Sequence, residues 1–149
     1  MAIWQYKIFL LPEDVVTDYF KNSTNLSDVD FDSILWWQNH QLEIDDFNMF
    51  YTILSRSKSW SEDIYMIGEI DSTCIEIFFD GAEIEEVSVR IDLRYDYAPF
   101  VKLLCNFAVR YSCVFLDTKF NLIAASEILL LKSIDNHSDY KKFIDKLKD

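Results

Sequence analysis

The stretch TCIEIFFDGAEIEEVSVRIDLR, residues 73–94, decides the fold. Its first part alternates Ile75 and Ile77 around Glu76, and its last part places Val87, Val89, Ile91 and Leu93 at every second position. Period two marks a strand with one face buried. Asp80-Gly81 offers a two-residue turn, but that register would set Ile75 opposite Glu86 and Ile77 opposite Ile84, away from the valine face. A five-residue loop over 80–84 instead brings Ile77 against Val87 and Ile75 against Val89, so one side of the hairpin is apolar at those pairs. The opposite side then carries Glu76, Phe78, Glu86, Ser88, Arg90 and Asp92.

Working outward, residues 60–71 form a third strand-like run, and the three together predict an antiparallel meander. Upstream, Trp4, Tyr6, Ile8 and Leu10 alternate over 2–11 as a strand that stops at Pro12. Residues 13–21 have helical spacing, and 21–27, rich in Asn and Ser, read as a loop. Ile44, Phe47, Tyr51 and Leu54 predict a helix over 43–54. Downstream, Asp96 reads as an N-cap with Pro99 in the first turn, and Phe100, Leu103, Leu104, Phe107, Ala108 and Tyr111 mark a helix over 97–112. Short strands are expected at 113–116 and 120–123, with helices at 126–132 and around Tyr140, Phe143, Ile144 and Leu147. The expected architecture is α+β, an antiparallel β meander in the middle of the chain packed against flanking helices, with 1–149 as one domain. A chain of 149 residues can build such a core without disulfides or metals.

Composition removes several function classes. The two glycines, Gly68 and Gly81, stand alone, which excludes both a Rossmann fingerprint and a P-loop. The net charge is −12, and it is uneven: residues 1–50 hold nine acids and two bases, 51–100 eleven and four, 101–149 six and eight. Such acidity repels phosphate backbones and anionic lipid, so neither nucleic acid nor membrane is an expected partner, and a basic protein is favoured. Cys74, Cys105 and Cys113 form no CxxC pair and have only His40 and His137 for company, which argues against a disulfide framework, a zinc site or a Cys–His nucleophile. The run Asp28-Val29-Asp30-Phe31-Asp32-Ser33 begins like a calcium loop, but Ser33 and Asn39 stand where glycine and glutamate are required. Carboxylate pairs are certain by chance among 26 acids and signal no glycosidase. No catalytic residue, metal or cofactor is expected. The N-terminus lacks the pattern of a secretory leader, and no apolar run has the length of a membrane helix, so a cytoplasmic protein is expected.

Two features stand out. Residues 62–92 hold ten acids against the single base Arg90. They read either as a solvated outer face that keeps the protein soluble or as a surface matched to a cationic partner. On the second reading the site residues are Glu69, Asp71, Asp80, Glu83, Glu85 and Glu86. Adjacent Trp36 and Trp37 cannot both face fully inward on a helix or strand, so one is expected at the surface or rim, where, bordered by Asp28, Asp30, Asp32 and Glu43, it would make a protein-binding hot spot. Arg90, Asp92 and Arg94 are expected to brace the sheet through ion pairs with Glu76 or Glu86.

Trp60, Ile-Gly-Glu-Ile at 67–70, the strand 74–79, Val-Ser-Val-Arg-Ile-Asp-Leu-Arg at 87–94, the helix 97–112 and Cys113 together resemble small standalone bacterial immunity proteins. Those accompany secreted polymorphic or type VI toxins, and the resemblance spans residues 60–132. It implies an α+β protein without catalytic residues that sequesters a cognate toxin in the cytosol, by blocking its active site or by holding it inactive. The rival reading is an intracellular regulatory or assembly domain acting through self-association, as a homodimer or in contact with another subunit.

Overall fold

The computed structural model describes residues 1–22 and 28–148. In chain order it runs β1 (Gln5–Pro12), α1 (Glu13–Asn22), α2 (Asp28–Ser33), a 3₁₀ helix (Ile44–Thr52), β2 (Arg56–Ser57), β3 (Ile64–Gly68), β4 (Cys74–Asp80), β5 (Glu83–Asp92), α3 (Ala98–Arg110), β6 (Cys113–Asp117), β7 (Leu122–Ile123), α4 (Glu127–His137) and α5 (Asp139–Leu147). The loop expected at 21–27 lies, past Asn22, outside the described residues.

The strands form one antiparallel sheet in the order β2-β3-β4-β5-β1-β6-β7. The expected meander is β3-β4-β5, and β1 closes against its far side, pairing Ile8 with Val89 and Tyr6 with Ile91. One face of the sheet is therefore continuous hydrocarbon: Ile75 and Ile77, Val87, Val89 and Ile91, Ile8 and Leu10, and Phe115, all buried. The 3₁₀ helix and α3 contribute a stack of phenylalanines, with Phe47 and Phe50 centred 4.6 and 5.3 Å from Phe107. The Tyr6 hydroxyl, on this face, hydrogen-bonds Ser133 of α4 at 2.7 Å, so these helices share the inner side. Burial of this face drives the fold, because apolar area removed from water is its largest favourable term.

The hairpin register is as the apolar pattern demands, Ile77 against Val87 and Ile75 against Val89. The loop is not the five-residue one expected. Asp80 pairs with Glu83, leaving a two-residue turn at Gly81-Ala82, and a bulge between Phe78 and Phe79 absorbs the mismatch, with Glu85 as the extra residue. Gly81 opens the turn at φ +63°, a conformation glycine adopts without steric cost. Gly68 is more constrained. At φ +92°, a β-carbon there would collide with the Thr73 carbonyl oxygen and sit 2.9 Å from Cys74 Cα.

Other expectations need correction. The segment expected as an α-helix over 43–54 winds as 3₁₀, whose three-residue turn eclipses i and i+3. Phe47 and Phe50 therefore face the core, while Tyr51 stays exposed. The strand expected over 60–71 is paired only at Ile64–Gly68, because residues 69–72 turn into β4. The helix beginning after Ser126 runs on to His137, and Ser138 both ends it and caps α5. Asp96 does not cap α3 as such: its carboxylate accepts the Ala98 amide from one residue before the cap, Tyr97.

Candidate partner-binding site

The outer face of the sheet carries the polar alternates and is only partly covered. Near the β4–β5 turn it is crossed by residues 31–37, where Phe31 stacks on Phe9 at 4.9 Å. Residues 35–38 then form a turn closed by Gln38 N–H to the Leu35 carbonyl at 3.1 Å. That turn overturns the expectation of an exposed tryptophan. Trp36 and Trp37 are 3% and 5% exposed, because the turn directs both side chains inward. Each indole is pinned: Trp36 Nε1–H donates to the Phe31 carbonyl and Trp37 Nε1–H to the Leu10 carbonyl, both at 3.2 Å. Of the acids expected to border them, Asp32 is exposed and near, while the side chains of Asp28 and Asp30 lie outside those described.

Between this turn and the sheet lies a cavity of about 170 Å³. Phe31, Trp36, Trp37 and Phe78 wall it, and Asp32, Glu85 and Glu86 supply its charge. Consecutive strand residues ordinarily point to opposite faces, and the β5 bulge is what lets both Glu85 and Glu86 reach one cavity. A smaller groove, which shares Leu35, Trp37 and Glu85 with it, extends to Asp80 and Glu83. Neither is lined by a basic side chain among the described residues. Burial pushes the Glu86 carboxyl up. Lys7 opposes that shift, while the charges of Glu85, Asp32 and Glu76 add to it.

The structure thus brings together Trp36, Trp37, Asp80, Glu83, Glu85 and Glu86. It does not bring Glu69 and Asp71 to them. Those two sit in the β3–β4 turn at the other end of β4, whose seven residues span about 20 Å at ~3.4 Å each. Two Debye lengths at physiological salt separate the groups, so the run of acids that is continuous in sequence is two surfaces in space. The Glu69–Asp71 turn is itself held rigidly. Gln5 Nε2 donates to the Ile70 and Ser72 carbonyls at 2.9 and 2.6 Å, and Trp4 Nε1–H donates to the Asp71 carbonyl at 2.9 Å.

Between the two ends the outer face is internally paired. Glu76, 2% exposed, takes Arg90 Nη2 at 3.4 Å and the Trp60 indole at 3.3 Å. The brace expected between Arg90 and Glu76 is present. Asp92 accepts Arg94 Nη2 at 2.8 Å, the Arg94 amide at 3.0 Å and the Ser72 hydroxyl at 2.9 Å. Burial would raise its carboxyl, but these bonds outweigh it and hold it below the usual carboxylate range.

Burial pushes the thiols of Cys74 and Cys113 up to about 12 and that of Cys105 to about 11. A thiol kept protonated is a poor nucleophile. His40 is engaged with Asp14 at 2.9 Å and the Gln38 carbonyl at 3.0 Å, and His137 is exposed at the end of α4. Among the described residues no group of three or more His, Cys, Asp or Glu is placed to hold a metal, and no helix is long and apolar enough to cross a membrane. Sequence reasoning placed Asp32 beside the tryptophans but missed Phe31 and Phe78 as parts of the site. The adjacent Phe78-Phe79 and Glu85-Glu86 pairs, which break period two beside the turn, were the available signal. Comparison with protein-family models, curated proteins and solved structures gives no match.

Proposed function

We propose that this chain is a non-enzymatic binding protein that takes a cationic protein partner at the β4–β5 end of its sheet, acting as an immunity protein that neutralises a toxin in the cytosol. The observation that carries this reading is the concentration of Asp80, Glu83, Glu85, Glu86 and Asp32 around an aromatic-walled cavity with no lining base among the described residues. Opposite charge steers encounter, and a desolvated aromatic centre inside a polar rim is the anatomy of a binding hot spot. The resemblance of residues 60–132 to bacterial immunity proteins gives the partner its class. Capture of the tagged chain from its native lysate names the partner, and the decisive experiment follows: growth of cells expressing that partner, with and without this chain. Rescue of growth at equimolar expression supports the reading, and unrelieved toxicity, or a partner that is not toxic, refutes it.

A second reading rests on a different surface. Leu122 of β7 and Ile128 and Leu129 of α4 are exposed at the sheet's far edge, 42%, 79% and 46% respectively, and suit self-association through an apolar contact. A dimer that persists in high salt and dissociates on Ile128→Glu would favour that assembly role.

A further inference from the structure

The cavity beside Trp36 and Trp37 specifies the partner more closely. We infer that it receives one arginine side chain from the partner, with the guanidinium between the aromatic walls and the carboxylates of Glu85, Glu86 and Asp32. This inference rests on the proposed function for its partner class and on the cavity for its chemistry.

Size sets the first limit. Pockets for cofactors and drug-sized ligands run to about 300–1,000 Å³, whereas an engineered cavity of about 150 Å³ holds benzene. At about 170 Å³ this one suits a single side chain and not a nucleotide or a sugar chain. Lining sets the second. Three carboxylates, exposed Asp32 and Glu85 and half-buried Glu86, with no basic residue on the walls make the cavity net negative, which favours a cationic occupant over a neutral or anionic one. Lys7 does not line the cavity; its ammonium lies 5.0 Å over the Phe9 ring and offsets only part of the Glu86 charge, which Glu85 and Asp32 add to. Geometry sets the third. A guanidinium is planar, stacks on aromatic faces and forks onto carboxylates, and it is more weakly hydrated than an ammonium. Phe31, Trp36, Trp37 and Phe78 line the cavity with aromatic rings, and the bulge brings adjacent glutamates to it.

The test uses N-acetyl-arginine amide as the probe, N-acetyl-citrulline amide as the same shape without charge, and N-acetyl-lysine amide as the compact cation. The four indole N–H resonances are followed by NMR, with Trp4 and Trp60, outside the cavity, as internal controls. Expected is saturable movement of Trp36 and Trp37 alone, with about millimolar affinity for the arginine amide and roughly tenfold weaker binding of citrulline. The lysine amide should fall between them. Glu86→Gln, nearly isosteric, should weaken arginine binding severalfold while leaving the indole positions in place, and Glu85→Gln, at an exposed residue, gives a second variant should the first perturb folding. Equal binding of arginine and citrulline, preference for lysine, or no movement of Trp36 and Trp37 overturns the inference. Those results leave the proposed function standing if the captured partner is neutralised. Conversely, arginine binding with no neutralised partner refutes the function and leaves the site.

Discussion

Truncating Trp37 to alanine should cost stability on the scale of a core residue and not of a surface one. An indole buried to this degree removes about 150–250 Å² from water, worth about 4–6 kcal/mol at ~25 cal/mol per Å², an upper bound because the unfolded chain already hides some of that area. The hydrogen bond to the Leu10 carbonyl adds about 1 kcal/mol, and the neighbouring cavity gives the site room to relax, which subtracts. The net expectation for Trp37→Ala is about 3–4 kcal/mol, a fall in Tm of about 10–13 °C for a chain of this size. Trp37→Phe retains most of the apolar area and forfeits the indole bond, so it should cost about 1–2 kcal/mol. Urea unfolding of the three proteins, compared at equal m-value, measures both. A surface residue changes stability by less than about 0.5 kcal/mol. A loss of that size for Trp37→Ala would place the side chain in solvent and remove the wall on which the site depends.

Gly68→Ala should lose about 2–4 kcal/mol by the same assay, because the new methyl meets the backbone of Thr73 and Cys74 at a left-handed φ and neither can retreat without breaking the β3–β4 turn. In acid, Asp92 contributes stability that is complete above its unfolded value of about 3.9 and vanishes as pH falls through its depressed folded value. The difference between wild type and Asp92→Asn should therefore shrink below about pH 4 and be flat above it. Glu86 has the opposite sign: its raised value makes ionisation costly in the fold, so stability falls as pH rises from about 4.3 through that value, and Glu86→Gln should abolish this component. The three thiols should be unreactive toward a thiol reagent at pH 8 in the native state and react together on unfolding; rapid native labelling of any one would contradict its burial.

What the sequence revealed was local. Ile75 and Ile77 must meet Val87 and Val89, and that demand fixed the register through an unforeseen bulge. Likewise the i, i+3, i+4 spacing from Phe100 to Tyr111 located α3 within two residues at each end. What it hid was nonlocal. Nothing in the pattern of residues 2–11 shows that β1 lies between β5 and β6, because alternation identifies a strand and not its neighbours. The acidic run misled for the same reason: counted along the chain it looks like one patch, but strand direction carries Glu69 and Asp71 to the end opposite Glu83, and Glu76 is buried on the outer face in its pairing with Arg90. The expectation that one of two adjacent tryptophans stays at the surface failed because the turn at 35–38, which alternation along the chain does not reveal, directs both indoles inward.

Capture of a cationic protein at the β4–β5 end of the sheet is tested most directly by the association rate of the captured partner with wild type and with the double variant Glu83→Lys, Glu85→Lys. Both residues are exposed, so the fold should survive the change. The expectation is steered association for wild type, of order 10⁸ M⁻¹s⁻¹ at low salt and falling steeply as salt rises, against a slow, nearly salt-independent rate of about 10⁵–10⁶ M⁻¹s⁻¹ for the variant. Equal rates and equal salt dependence in the two proteins would contradict it.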